Sequence, residues 1–207
     1  MKATRLFYIF FLVIACSTSN KRVDLDKVFR YNESKGVTSL DPAYARNLSL
    51  IWPVNQLYNG LVQLTDSLTV EPCIAKSWEI SADGLQYTFY LRSDVFFHDD
   101  KSFKNSIGRK VVASDFVYTF NRLMDSKTAS PGAWVLSVLN KDFIGSTNGC
   151  SALSDSVFVV YLSKPFPAFL GLMSMPYCFV VPHESVALYC NEFARNPVGT
   201  GPFYLKF

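Results

Sequence analysis

Histidine is nearly missing from this chain, with 2 in 207 residues, and neither stands in an HExxH pattern that would aim two imidazoles at one zinc ion. His98 is followed by Asp99 and Asp100, and His183 by Glu184. Neither pair supplies the donor set of a metal site or the third group that orients a catalytic base. A nucleophile elbow around a serine is also missing. Gly199-Thr200-Gly201 lacks the following Lys and the wider glycine spacing of a phosphate loop, so it reads as a tight backbone turn. Lys and Arg are dispersed among acids, without the basic stripe that neutralises phosphates, which excludes nucleic acid as a partner. There is no internal repeat and no low-complexity linker. The chain is assigned no catalytic residue, no metal ligand and no cofactor.

What is present describes an exported globular protein. The chain is 49% hydrophobic and 18% charged, which rules out wholesale disorder. Aromatics make up 15%, with 18 Phe and 11 Tyr, an excess that belongs chiefly on strand faces and in the core. Lys2 and Arg5 precede LFYIFFLVIA, residues 6–15, an apolar run too short for the roughly 20 residues of a membrane span. A basic start, a short apolar middle and a small residue before the cut are the parts of an export signal. Val13-Ile14-Ala15-Cys16 resembles a bacterial lipobox, in which Cys16 is lipidated and becomes the mature N-terminus. Residues 17–21 (STSNK) then form a polar tether. The net charge of +3 includes Lys2 and Arg5, so the mature chain is close to neutral. Cys73, Cys150, Cys178 and Cys190 remain, without CxxC spacing or a neighbouring His cluster; disulfides and buried free thiols both stay open.

Strand and helix signals alternate along the mature part. Residues 28–31 read as a short strand, and Asp41 before Pro42 as a helix start, because Asp accepts free amide hydrogens and Pro has its φ preset. Pro53 is expected to interrupt the chain's course or to restart it as a new element. The stretch 56–64 carries an apolar stripe closed near Gly60. In 75–92, Trp78 and Ile80 alternate with polar neighbours, Ala82-Asp83-Gly84 makes a turn, and Tyr87, Phe89 and Leu91 alternate again: a β-hairpin with one packed face. Ser114-Asp115 is expected to cap a helix carrying Phe116, Phe120, Leu123 and Met124. A strand over 157–162 and a buried short helix over 169–175 come next.

The order of motifs SLDP (39–42), AKSWEISADGLQYTFYLRSDVFFHDDKSF (75–103), ASDFVYTFNRL (113–123), TASP (128–131) and PVGTGPFYL (197–205) resembles the family 5 bacterial extracellular solute-binding proteins. This is the oligopeptide-, dipeptide- and nickel-binding group that serves ABC importers. Asp100 departs from the family, which usually has Gly after His-Asp. The resemblance implies an α/β fold of the periplasmic binding protein-like (class II) clamshell type, with part of the first lobe and its inserted α+β subdomain. It divides the chain into a lipoprotein signal peptide (1–15), a lipidated tether (16–27), a first segment of lobe one (28–49), the inserted subdomain (50–196) and a return into lobe one (197–207), where the chain reads as truncated. The implied function is capture of peptides outside the cytoplasmic membrane by a lipid-anchored monomer that delivers them to ABC permease subunits. The loop after the first strand transfers to Val37, Thr38, Ser39 and Leu40 as peptide-binding residues, and Gly132, Ala133 and Trp134 are added to them, with Trp134 displaced by a residue or two from the family's aromatic. An envelope hydrolase or peptidase, or a degenerate surface lipoprotein, are the competing readings.

Overall fold

The computed structural model describes residues 27–34 and 36–206. The signal peptide 1–15, Cys16, all of the tether but its last residue, Lys35 and Phe207 lie outside the described residues. Residues up to Tyr31 form one unit and those from Asn32 another. In the first unit, 28–31 is not a strand, contrary to its apolar reading. A run of four residues is too short for its pattern to distinguish a strand from extended coil.

In the second unit, β1 (Val62–Leu64) pairs antiparallel with β2 (Val70–Pro72). The hairpin of β3 (Ala75–Ile80) and β4 (Gln86–Leu91) joins β5 (Cys150–Ser154) and β6 (Val157–Tyr161) in a four-stranded antiparallel sheet of order β3-β4-β6-β5. The helices are α1 (Leu48–Leu57), α2 (Ala113–Met124), α3 (Phe169–Met173) and α4 (His183–Tyr189). No helix of the described residues is long and apolar enough to cross a membrane.

The hairpin forms where its alternation places it. Asp83 Oδ1 accepts from Ser81 Oγ at 2.5 Å and from the Leu85 amide at 3.0 Å, and Gly84 takes φ +69°, the left-handed conformation its missing Cβ permits. Register sets Trp78 opposite Phe89 and Ile80 opposite Tyr87. Tyr87, Phe89 and Leu91 are buried and Trp78 packs against the same cluster, whereas Ile80 at the strand tip is 47% exposed. The neighbouring strand adds Phe158, whose ring lies 6.2 Å from Phe89, and α2 closes over it with Phe116 at 5.6 Å and Phe120 at 5.4 Å.

Three local readings change. Asp115 caps α2, but from inside: the helix begins at Ala113 and the Asp115 carboxylate turns back to accept the Val112 amide at 2.9 Å, while Ser114 is exposed. Pro53 neither interrupts nor restarts α1. Asn47 caps that helix on the Leu50 amide at 3.2 Å, and Leu50, Val54 and Leu57 bury one stripe, which offsets the backbone bond the proline cannot make. The third is β5, unread in CSALS, which has only Cys150 buried and becomes a strand by pairing with β6.

The turn at 199–201 is tight for a steric reason. A Cβ on Gly199 would lie 2.0 Å from the Leu57 carbonyl oxygen, and one on Gly201 2.5 Å from that of Gln56. The turn therefore docks on the end of α1, where the Gly201 amide donates to Leu57 O at 2.9 Å and the Phe203 amide to Gln56 O at 3.0 Å. His98 secures it from the other side: its amide donates to Gly199 O at 2.8 Å and its Nε2 lies 2.8 Å from Gly201 O. A carbonyl accepts only, so Nε2 carries the proton. Burial lowers the His98 pKa, opposed in part by the Gly201 bond and the Asp99 charge.

Phe89→Ala is expected to cost about 3–5 kcal/mol, because it opens a cavity at the centre of the sheet; an unchanged urea midpoint would remove Phe89 from the core. The lowered His98 pKa sets a pH dependence. Between the native value and the ordinary 6.5, the unfolded chain binds more protons, so stability rises with pH in that window. Stability is expected to fall as pH drops below 6.5, and His98→Gln to flatten that fall. Equal pH slopes in the two proteins, from denaturation midpoints across the window, would exclude His98 as the cause.

Candidate functional site

Asp41 is the residue from which the site is built. Its backbone is extended, and its Oδ1 accepts the Ala43 amide at 3.0 Å, which starts the single 3-10 turn Pro42–Tyr44. The side chain is only 3% exposed and its charge is answered from α2. Arg122 donates through Nη1 to Oδ1 at 3.0 Å and through Nη2 to Oδ2 at 2.5 Å, a two-point geometry that only a guanidinium offers a carboxylate. The Phe193 ring lies 5.5 Å from the guanidinium carbon. Burial works against the Arg122 charge, but the Asp41 carboxylate outweighs it and holds the pKa above its ordinary value.

Three further bonds fasten this turn. Leu40 N donates to Ala194 O at 2.8 Å, Tyr44 Oη to Thr128 O at 2.6 Å, and Ser130 Oγ to Ala43 O at 2.5 Å. Ser130 Oγ also accepts the Gly132 amide at 3.0 Å. One hydroxyl thus links the turn after Leu40 to the segment that begins at Gly132, and so connects the two stretches assigned to ligand contact.

The assigned residues differ in setting. Val37 and Thr38 are exposed, Ser39 and Leu40 half-buried. Among the described residues, the main chain of Val37, Thr38 and Ser39 makes no backbone-to-backbone hydrogen bond. Gly132 is buried, and a Cβ there would lie 2.3 Å from the Tyr177 ring, so glycine is demanded by packing. Ala133 is half-buried. Trp134, on the 3-10 turn Ala133–Leu136, is 55% exposed, while Val135 and Leu136 next to it are buried. Its indole faces solvent rather than core. A cleft of about 610 Å³ runs beside α2, lined among others by Tyr118, Asn121, Arg122, Thr128 and Lys141. Arg122 and Thr128 therefore face this cleft while gripping Asp41 and Tyr44.

Sequence reasoning did not single out Asp41 for its charge, nor Arg122, Ser130 or Arg109. Arg109 binds two acids at once: Asp115 at 2.8 and 2.7 Å and Glu184 at 2.5 and 2.8 Å, with Phe97 and Phe103 rings 5.2 and 5.9 Å from its guanidinium. Burial raises the Glu184 pKa, but the Arg109 bonds prevail and hold it below the usual carboxylate value. Glu184 is thus committed to a structural pair. Among the described residues, no three His, Cys, Asp or Glu side chains gather as metal ligands. Cys73, Cys150, Cys178 and Cys190 are free thiols. Burial raises Cys73, pushes Cys150 up to about 12 and raises Cys178 as well, so these three are poor nucleophiles at neutral pH.

The chain is similar in sequence and fold to known proteins. The probable deoxycholate-binding periplasmic protein YgiS of Escherichia coli K12 is 32% identical over 191 residues, covering 86% of this chain and 34% of that protein. A dipeptide-binding protein of Lactococcus lactis is 28% identical over 205 residues, covering 94% of this chain and 35% of its own length. Among solved structures, the substrate-binding domain of an oligopeptide ABC transporter from Bacillus anthracis superposes with a TM-score of 0.77 at 25% identity, covering 87% of this chain and 35% of that one. The chain thus spans about a third of the length of these relatives, and its α/β fold is that of part of the first lobe of a periplasmic binding protein. Residues 69–206 match the description Bacterial extracellular solute-binding proteins, family 5 Middle. With two thirds of its length inside that match, this chain belongs to the family 5 bacterial extracellular solute-binding proteins.

Proposed function

We propose that this chain captures peptides outside the cytoplasmic membrane as the substrate-binding lipoprotein of an ABC importer, which passes them to the permease subunits. The observation that carries the reading is the main chain of Val37 to Ser39, exposed at Val37 and Thr38, which among the described residues makes no bond to other backbone, next to a turn held by Asp41 and Arg122. Extended peptides of any sequence offer the matching donors and acceptors, so this mode gives affinity without side-chain selection. Trp134 supplies a solvent-facing aromatic surface for a ligand side chain. In this reading Val37, Thr38, Ser39, Leu40, Gly132, Ala133 and Trp134 form the peptide side of the site, and the segments 28–49 and 197–207 belong to lobe one with 50–196 inserted between them. The likeness to YgiS favours a second ligand class, an amphipathic steroid carboxylate.

Water competes for each bond at the exposed Val37 and Thr38, and the net worth of such a bond is about 0.5–1.5 kcal/mol, against an association cost of at least ~4 kcal/mol. The full 207-residue chain is therefore expected to bind trialanine more weakly than micromolar in calorimetry, and Trp134→Ala to weaken it further at an unchanged unfolding midpoint. Heat from deoxycholate but not from trialanine would replace the peptide by the steroid, and cleavage of the peptide would end the receptor reading.

The lipid anchor is proposed at Cys16, because a cleaved ten-residue apolar run cannot itself hold the protein. Cys16→Ser is expected to move the protein from membrane to soluble fraction; retention at wild-type level would refute the anchor.

A further inference from the structure

The stretch 37–39 runs outside the helices and strands of the described residues. Among those residues it makes no backbone-to-backbone bonds. Its course is set by its two ends. Before it, Gly36 takes φ +71° and its amide donates to Glu33 O at 2.9 Å. After it stands Asp41, whose amide and carboxylate together make four bonds. The Asp41 amide donates to Ser39 Oγ at 3.2 Å, its carboxylate accepts the Ala43 amide at 3.0 Å, and Arg122 supplies two donors. Arg122 is itself 15% exposed and braced by Phe193.

From this geometry we infer that Arg122 is a positioning residue for ligand capture: it fixes the main chain of 37–40 through Asp41 and touches no peptide itself. The inference rests on the peptide-binding reading above and adds to it the group that sets affinity. Its physical content is entropic. A loop that must be ordered on binding loses conformational freedom at that moment, whereas one ordered beforehand by a buried pair does not. Losing the pair should therefore weaken the ligand without removing a single ligand contact. Lysine at 122 would keep the charge but could not match both carboxylate oxygens with a planar fork, so it should restore only part of the effect.

Hydrogen exchange by mass spectrometry on the full chain separates this from a merely structural role, with Arg122→Met and Arg122→Lys as variants. Amides of Leu40, Ala43 and Tyr44 are expected to exchange at least about tenfold faster in Arg122→Met and by an intermediate factor in Arg122→Lys, while β3 and β4 keep wild-type protection. Calorimetric affinity for trialanine should decline in the same order. Uniform loss of protection, or collapse of the hairpin in both variants, would make Arg122 a general stability residue and overturn the inference. Weaker binding with unchanged exchange at 40–44 would mean that Arg122 meets the ligand directly, through the cleft it lines, and would overturn it too. Equal affinity in all three proteins despite faster exchange would do the same. A wild-type chain that binds no trialanine at millimolar concentration would refute the peptide reading itself, even with the exchange pattern intact, and the ligand role of Arg122 would fall with it.

Discussion

The pairing of Asp41 with Arg122 is the constraint on which the arrangement of this molecule turns. The two residues lie 81 positions apart and meet through two hydrogen bonds where little water reaches. Burying either charge alone costs several kcal/mol, and their attraction offsets that cost only when geometry is good and the remaining lone pairs are used. Here the carboxylate also takes the Ala43 amide and the guanidinium lies on the Phe193 ring. A pair of this kind need not raise stability over an apolar substitute, but it admits only one relative placement of its partners. The turn at 42–44, the C-terminal end of α2 and the segment around Phe193 are all bound by that choice.

The opposite end of α2 is fixed in a similar way. Asp115 in its first turn grips Arg109, and Arg109 reaches on to Glu184 of α4. An acid in the first turn and an arginine in the last also complement the helix dipole, so intrinsic helix electrostatics and tertiary pairing favour the same residues. Between these ends Phe116 and Phe120 lie over Phe158 of the sheet. The helix is thus packed apolar in the middle and tied by guanidinium groups at both ends. The loop from Thr128 to Gly132 that follows it is placed against Ala43 and Tyr44 by the Tyr44 and Ser130 hydrogen bonds.

Much of this frame was legible locally. The β3–β4 hairpin results from alternation and from Asp83-Gly84 turn chemistry, both properties of neighbouring residues. The apolar stripe of α2 comes from periodicity in the same way, and the apolar richness of 169–175 marks the short helix α3, which ends at Met173 and buries Phe169 and Met173. Failures occurred where a distant partner outvoted a local preference. Pro53 stays inside α1 because burial of Leu50, Val54 and Leu57 outweighs one missing bond. The stretch CSALS becomes β5 because β6 offers it a ladder. The thiols stay unpaired although four cysteines permit three pairings, since pairing depends on distances that spacing in the chain does not encode.

The sequence by itself determined the family, through an ordered set of motifs each of which is a local pattern, and the ligand-contact segments 37–40 and 132–134 are proposed on that resemblance. Only the tertiary structure decided how those segments are held. That Arg122 answers Asp41, that Ser130 joins Ala43 to Gly132, that Gly132 is required by Tyr177 and that Trp134 faces solvent are relations between residues tens of positions apart. A charge or a hydroxyl in a chain carries no mark of its partner, because the energy of the bond depends on distance and burial. Both of these exist only once the chain has folded.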